Sequence, residues 1–180
     1  MVATKRLVAV IEGIRALAKH ESLAPINFCL NDLIDETLSL FKRELAHGHI
    51  DLNTNLSTPT VWIRADRGQI RQVLINLVVN AAQAMVQNDS PVRKLVVEST
   101  TGNGAVIISV PDTRPGVDLK LRDSLFSAFV MNKAEGMGLG LSLRASIIDR
   151  HGGQIWADFD QRAGSIFRFS PPLGSPVSLS

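Results

Sequence analysis

The chain has 180 residues, 45% hydrophobic and 20% charged, which suits one buried core and excludes a disordered chain. Its net charge of +2 comes from 19 basic and 17 acidic residues scattered along the sequence, so no footprint for nucleic acid emerges. The single cysteine, Cys29, excludes an internal disulfide framework and a cysteine-based zinc site, and no run approaches the roughly 20 apolar residues of a membrane span.

The N-terminal segment is interrupted by Glu12 and Arg15 and does not read as a signal peptide, so a cytoplasmic location is expected. Leu7, Ile11, Ile14 and Leu17 recur at helical spacing and predict a helix over 4–19. Its stripe would pack on a second copy, on an absent segment or on its own domain. After Pro25, residues 26–30 read as extended. A second helix is expected from Asn31 or Asp32, both good caps, to Gly48, with Leu33, Ile34, Leu38, Phe41 and Leu45 inward. Short strands follow near 49–55 and 60–64.

The next helix carries the best local signals. Asp66 and Gln69 form a capping-box pair, and the apolar series Ile70, Val73, Leu74, Leu77, Val78, Ala81 runs to Met85. KLVVEST (94–100) and AVIISV (105–110) flank Gly102-Asn103-Gly104 and predict a hairpin. From Pro111 to Gly138 the periodicity is lost, and long loops in compact domains tend to be functional. A helix resumes near Leu139 and ends at Gly152-Gly153. A closing hairpin is expected from 154–159 and 165–170, then a flexible tail. Helices interleaved with strands in this order predict an α+β fold.

Three polar features sit where a simple core would not place them. Asn76 and Asn80, four residues apart, share one helix face inside the apolar run INLVVNAAQAM. Amide oxygens suit Mg²⁺, a hard cation that bridges to phosphate, and suit a helix-to-loop hydrogen bond as well. Asp112 follows an apolar strand, where a carboxylate could accept from a ligand amine or simply form a turn. Gly136-Met137-Gly138-Leu139-Gly140 opens a helix, and Lys133 lies just upstream. Such a segment suits phosphate binding by backbone N–H groups, or a hinge.

Taken together and in this order, the three resemble the ATP-binding domain of bacterial sensor histidine kinases, in the GHKL superfamily. RQVLINLVVNAAQAM (71–85) is similar to the family's N box and VPDTRPGVD (110–118) to its G1 box. LFSAFVMNKAEGMGLGLSL (125–143) is similar to the F and G2 boxes, and 151–173 to the closing hairpin. The resemblance implies a Bergerat-type α/β sandwich, its mixed sheet covered on one face by about three helices. A mobile lid would span roughly 117–137. It implies ATP and Mg²⁺ as cofactors, with Asn80 the Mg²⁺ ligand and Asn76 near the phosphates. Asp112 would take the adenine amine, and Gly116 would shape that pocket. Lys133, Gly136, Gly138, Leu139 and Gly140 would face the phosphates, and Phe126 and Phe129 match the F-box aromatics.

Within that superfamily, ATPase members carry a glutamate where this chain has Asn76, and an amide cannot accept the proton of an attacking water. The resemblance therefore implies a kinase that passes the γ-phosphoryl to a histidine on a dimerisation hairpin, with a response regulator downstream. His20 has the family's His-Glu-x-x-x-Pro spacing, but no second hairpin helix separates it from the ATP domain, so it is not expected to be the acceptor. Residues 1–24 read as the end of a hairpin helix plus linker, with homodimerisation through 4–19 open. Residues 25–173 read as the ATP domain and 174–180 as a tail, and the chain looks like a fragment or short form lacking its acceptor. Arg114 stands at the first glycine of the family's Asp-x-Gly-x-Gly pattern, and Met131-Asn132 replaces the usual Thr-Thr. Arg114 motivates the alternative of a non-catalytic homologue that keeps the fold for docking.

Overall fold

The computed structural model describes residues 24–87, 92–112, 138–160 and 164–175. Strand β1 (Ile26–Cys29) leads into helix α1 (Leu30–Ser39) and helix α2 (Lys42–His47). Strands β2 (Asp51–Asn55) and β3 (Trp62–Ala65) precede the long helix α3 (Arg67–Gln87). Then come β4 (Lys94–Gly102), β5 (Ala105–Asp112), helix α4 (Gly138–Arg150), β6 (Gln154–Asp160) and β7 (Gly164–Ser170).

Five strands form a mixed sheet in the order β2-β4-β5-β7-β6, with β2 parallel to β4 and the other pairs antiparallel. Alternating residues turn one face inward: Leu95 and Val97 on β4, Val106, Ile108 and Val110 on β5, Phe167 and Phe169 on β7. A separate two-stranded sheet pairs β1 with β3. The chain segment after β7 fastens to it, since the Gly174 N–H donates to the Trp62 oxygen at 2.9 Å. This small sheet was not foreseen, because 26–30 is too short for its period to identify a strand.

Helix α3 is the centre of the molecule. It packs against α1, α4, β4 and β5, and its apolar side chains from Ile70 to Val86 are buried on nearly every side. The Asp66 Oδ1 caps it, accepting from the N–H groups of Gly68 (2.9 Å) and Gln69 (3.1 Å). The reciprocal half of the expected capping box is replaced: the Asp66 N–H donates to His151 Nε2 at 3.0 Å.

The single helix expected over 31–47 is two. The Thr37 and Ser39 hydroxyls donate back to the Leu33 and Glu36 oxygens at 2.6 and 2.7 Å, competing with the helical ladder near its end. The break at Leu40 leaves that residue 51% exposed while Phe41 and Leu45 both reach the core. The cap is the Cys29 thiol, accepting from the Asp32 N–H at 3.3 Å, and Asn31 instead donates to the Ser57 oxygen at 3.2 Å.

Turn chemistry follows the sequence closely. Gly102 pairs with Ala105, leaving Asn103 (φ 52°) and Gly104 (φ 74°) as a two-residue loop with both φ positive, the primed turn that Asn-Gly favours. Gly152 (φ 72°) turns the chain just past the end of α4, and the N–H groups of Gly152 and Gly153 donate to the Asp149 and Ile148 oxygens. No helix among the described residues is long and apolar enough to cross a membrane.

Candidate functional site

Asn76 and Asn80 lie in the middle of α3, one turn apart, on the part of the helix that meets α4. Asn76 is only 4% exposed, and its Oδ1 has no hydrogen-bond partner among the described residues. A buried acceptor left so costs about 1–3 kcal/mol. An apolar residue at this position would not carry that cost. Asn80 is half-buried.

Across from them stands Arg144 on α4, 1% exposed, which the sequence reading did not single out. A guanidinium only donates, so the end of the Asn80 amide that meets it must be the oxygen. In that orientation the Asn80 oxygen accepts from Arg144 Nη1 at 2.8 Å, and its NH₂ donates to the Asn76 main-chain oxygen at 3.3 Å. The opposite orientation would set NH₂ against guanidinium N–H groups and leave only a 3.5 Å contact.

Gly138, Leu139 and Gly140 form the first turn of α4. The first N–H groups of a helix have no partner within it, so this turn offers donors and positive potential. Arg144 sits one turn further along. The α3–α4 contact thus brings Asn80 against Arg144, on the helix that the glycine-rich turn opens.

Asp112 is the last residue of β5, in register with Ser165 of β7. Pro111 lies beyond Ser109, the last β5 residue paired with β4. Ser165 is 0% exposed, and its Oγ has no partner among the described residues. That hydroxyl next to Asp112 was missed. A serine in SIFRFS looks like any strand residue, and only its cross-strand partner marks it.

Gly116, Lys133 and Gly136 lie outside the described residues, as do His20, Arg114, Phe126, Phe129 and the expected lid. No cluster of three or more His, Cys, Asp or Glu able to hold a metal occurs among the described residues. A cation at the α3–α4 contact would rest on amide and phosphate oxygens, the ligand set that Mg²⁺ prefers when it arrives with a nucleotide.

One buried and one half-buried amide on a helix face, a glycine-rich helix start and an acidic strand end, on a mixed sheet backed by helices, form the candidate site of an ATP-binding module. Residues 65–175 match the family described as histidine kinase-, DNA gyrase B-, and HSP90-like ATPase, and the chain belongs to that family. Its relatives include sensor histidine kinases, among them TmoS of Ectopseudomonas mendocina and ZraS of Escherichia coli. The chain is 38% identical over 144 residues to the sensor protein FixL of Bradyrhizobium diazoefficiens, an overlap of 79% of this chain and 28% of FixL. It superposes on the nucleotide-free catalytic domain of the histidine kinase ThkA with a TM-score of 0.74 at 36% identity, covering 84% of this chain and 97% of that domain. For ThkA in complex with the response regulator TrrA the values are 0.71 and 31%, over 94% of this chain and 48% of the other. The chain thus spans less than half the length of the curated relatives it matches.

Proposed function

We propose that this chain is the ATP-binding catalytic domain of a sensor histidine kinase, holding ATP with Mg²⁺ and presenting the γ-phosphoryl to a histidine on a dimerisation hairpin. The observation that carries the reading is the buried Asn76 and half-buried Asn80 on the face of α3 that meets α4, the helix opened by the glycine-rich turn. The residues fit the nucleotide. Among the described residues the buried Asn76 and Ser165 oxygens have no partner, Ser165 is in register with Asp112, and the first N–H groups of α4 have no partner within the helix. Asp112 with Ser165 would hold the adenine end, Gly138 to Gly140 the phosphates, and Asn80 the cation. The cation, when bound, neutralises charge that develops on the transferring group.

The chemistry favours a kinase over a hydrolase. Position 76 holds an amide, which cannot take a proton from water. What the domain's residues do is position and neutralise, the main requirements of phosphoryl transfer. The acceptor and the downstream partner belong to the same proposal: a histidine on the hairpin, then a response regulator of the kind the ThkA complex contains. A cytoplasmic setting and the division into 1–24, 25–173 and 174–180 are parts of it too.

The test is a calorimetric titration with AMPPNP, with and without Mg²⁺, followed by incubation with γ-labelled ATP and a separately made hairpin. Binding strengthened by Mg²⁺ and label on the hairpin histidine are expected. Binding without label on any supplied hairpin would count against the kinase reading, and no binding, restored in Arg114→Gly, would favour the docking alternative.

A further inference from the structure

We propose that Arg144 is a positioning residue for Asn80: its buried guanidinium fixes the amide with the oxygen turned toward α4. This rests on the reading of the α3–α4 contact as the nucleotide site.

An asparagine amide has two ends of nearly equal shape and opposite chemistry, one accepting and one donating. Only the oxygen can meet a cation. A half-exposed asparagine on a helix has little to choose between the two orientations unless a neighbour breaks the tie. Arg144 breaks it, because all its polar atoms donate. The guanidinium donates to the Asn80 oxygen at 2.8 Å, and the Asn76 main-chain oxygen receives the NH₂ at 3.3 Å. Both ends are then engaged, and the side chain is locked between two helices.

The amide oxygen carries two lone pairs. Arg144 takes one, which leaves the other for a divalent cation or one of its waters. Arg144 is fixed in turn, since it is 1% exposed in the packed α3–α4 contact, one turn inside the helix that starts at Gly138. Outer partners of a metal ligand are worth roughly ten- to a hundredfold in metal affinity because they hold the ligand's orientation. Arg144 does not touch the nucleotide in this scheme. It acts through Asn80.

The experiment measures AMPPNP affinity in Mg²⁺ and in EDTA, for the full chain and for Arg144→Met. The ratio of the two affinities is the gain due to the cation. In Arg144→Met that gain is expected to fall about tenfold, with the EDTA affinity unchanged within about twofold. A general packing defect would lower both affinities together. An undiminished gain in Arg144→Met would overturn the proposal. Should Arg144→Met not fold, Arg144→Lys keeps a donor at that place and should hold the gain within about threefold; a larger loss counts against positioning. Absence of nucleotide binding by the unaltered chain would instead overturn the site reading itself.

Discussion

His151 Nε2 accepts the Asp66 N–H at 3.0 Å, across 85 residues of sequence, while His151 Nδ1 lies 2.7 Å from the Ile147 oxygen. Nε2 must accept, so Nδ1 carries the proton and donates to Ile147. One neutral ring thereby ties the last turn of α4 to the cap of α3, the two helices that meet at the candidate site. His151→Ala removes the acceptor from a part-buried N–H. It is expected to lower stability by about 1–3 kcal/mol, read as a lower urea midpoint with an unchanged slope.

The two glycines after His151 serve different needs. Gly152 adopts φ 72°, whereas a Cβ on Gly153 would lie 2.3 Å from the Ser170 oxygen. Gly153→Ala forces backbone apart between α4 and β7 and should cost about 1–3 kcal/mol or more. Gly102, where a Cβ would meet nothing within 4 Å, serves as the control. Gly102→Ala is expected to move the thermal midpoint little. Equal effects at the two sites would show that close approach is not what Gly153 provides.

If Asn76 serves the nucleotide as proposed, it does so at the expense of stability. Asn76→Leu replaces an acceptor that has no partner among the described residues by an apolar side chain of similar size. It should raise stability by about 1 kcal/mol, a gain of roughly 2–4 °C in a domain of this length, while abolishing nucleotide binding. Thermal unfolding and AMPPNP titration of the same sample check both halves, and a less stable variant would mean that Asn76 supports the fold.

Glu36 on α1 receives Arg67 at 2.7 Å and Arg71 at 2.9 Å, fastening α1 to α3. The hydrogen bond from Arg67 holds its carboxyl below the usual carboxylate value, with the nearby charges of Arg67 and Arg71 adding to it. A carboxyl lowered in the folded state stabilises above its unfolded pKa, and that stability is lost as pH falls through the folded pKa. The side chain is 53% exposed, so solvent screening keeps the effect to about 0.2–1 kcal/mol. Glu36→Gln is expected to show that small loss at pH 7, shrinking toward zero below about pH 4 and in high salt.

Much of this molecule was legible in its sequence because the deciding interactions are local. Asn103-Gly104 demands a two-residue turn, and β4 and β5 pair around it. Asp66 caps α3 from three residues away, and the 3.6-residue period of its apolar side chains states its burial. The asparagine pair, the strand-end Asp112 and the glycine-rich helix start were legible for the same reason, as polar interruptions in regular patterns.

The rest depended on distance along the chain. The pairing of β1 with β3, the break at Leu40, the register of Ser165 with Asp112 and the contact of Arg144 with Asn80 leave no periodic trace. Arg144 and Asn80 are 64 residues apart, and an arginine in a helix looks like any surface residue until packing buries it. Sequence by itself determined which elements form and which polar groups are out of place, since propensity, period and turn chemistry act over a few residues. Tertiary structure alone decided which of those groups meet, because hydrogen bonds between helices and across strands are set by how whole elements pack.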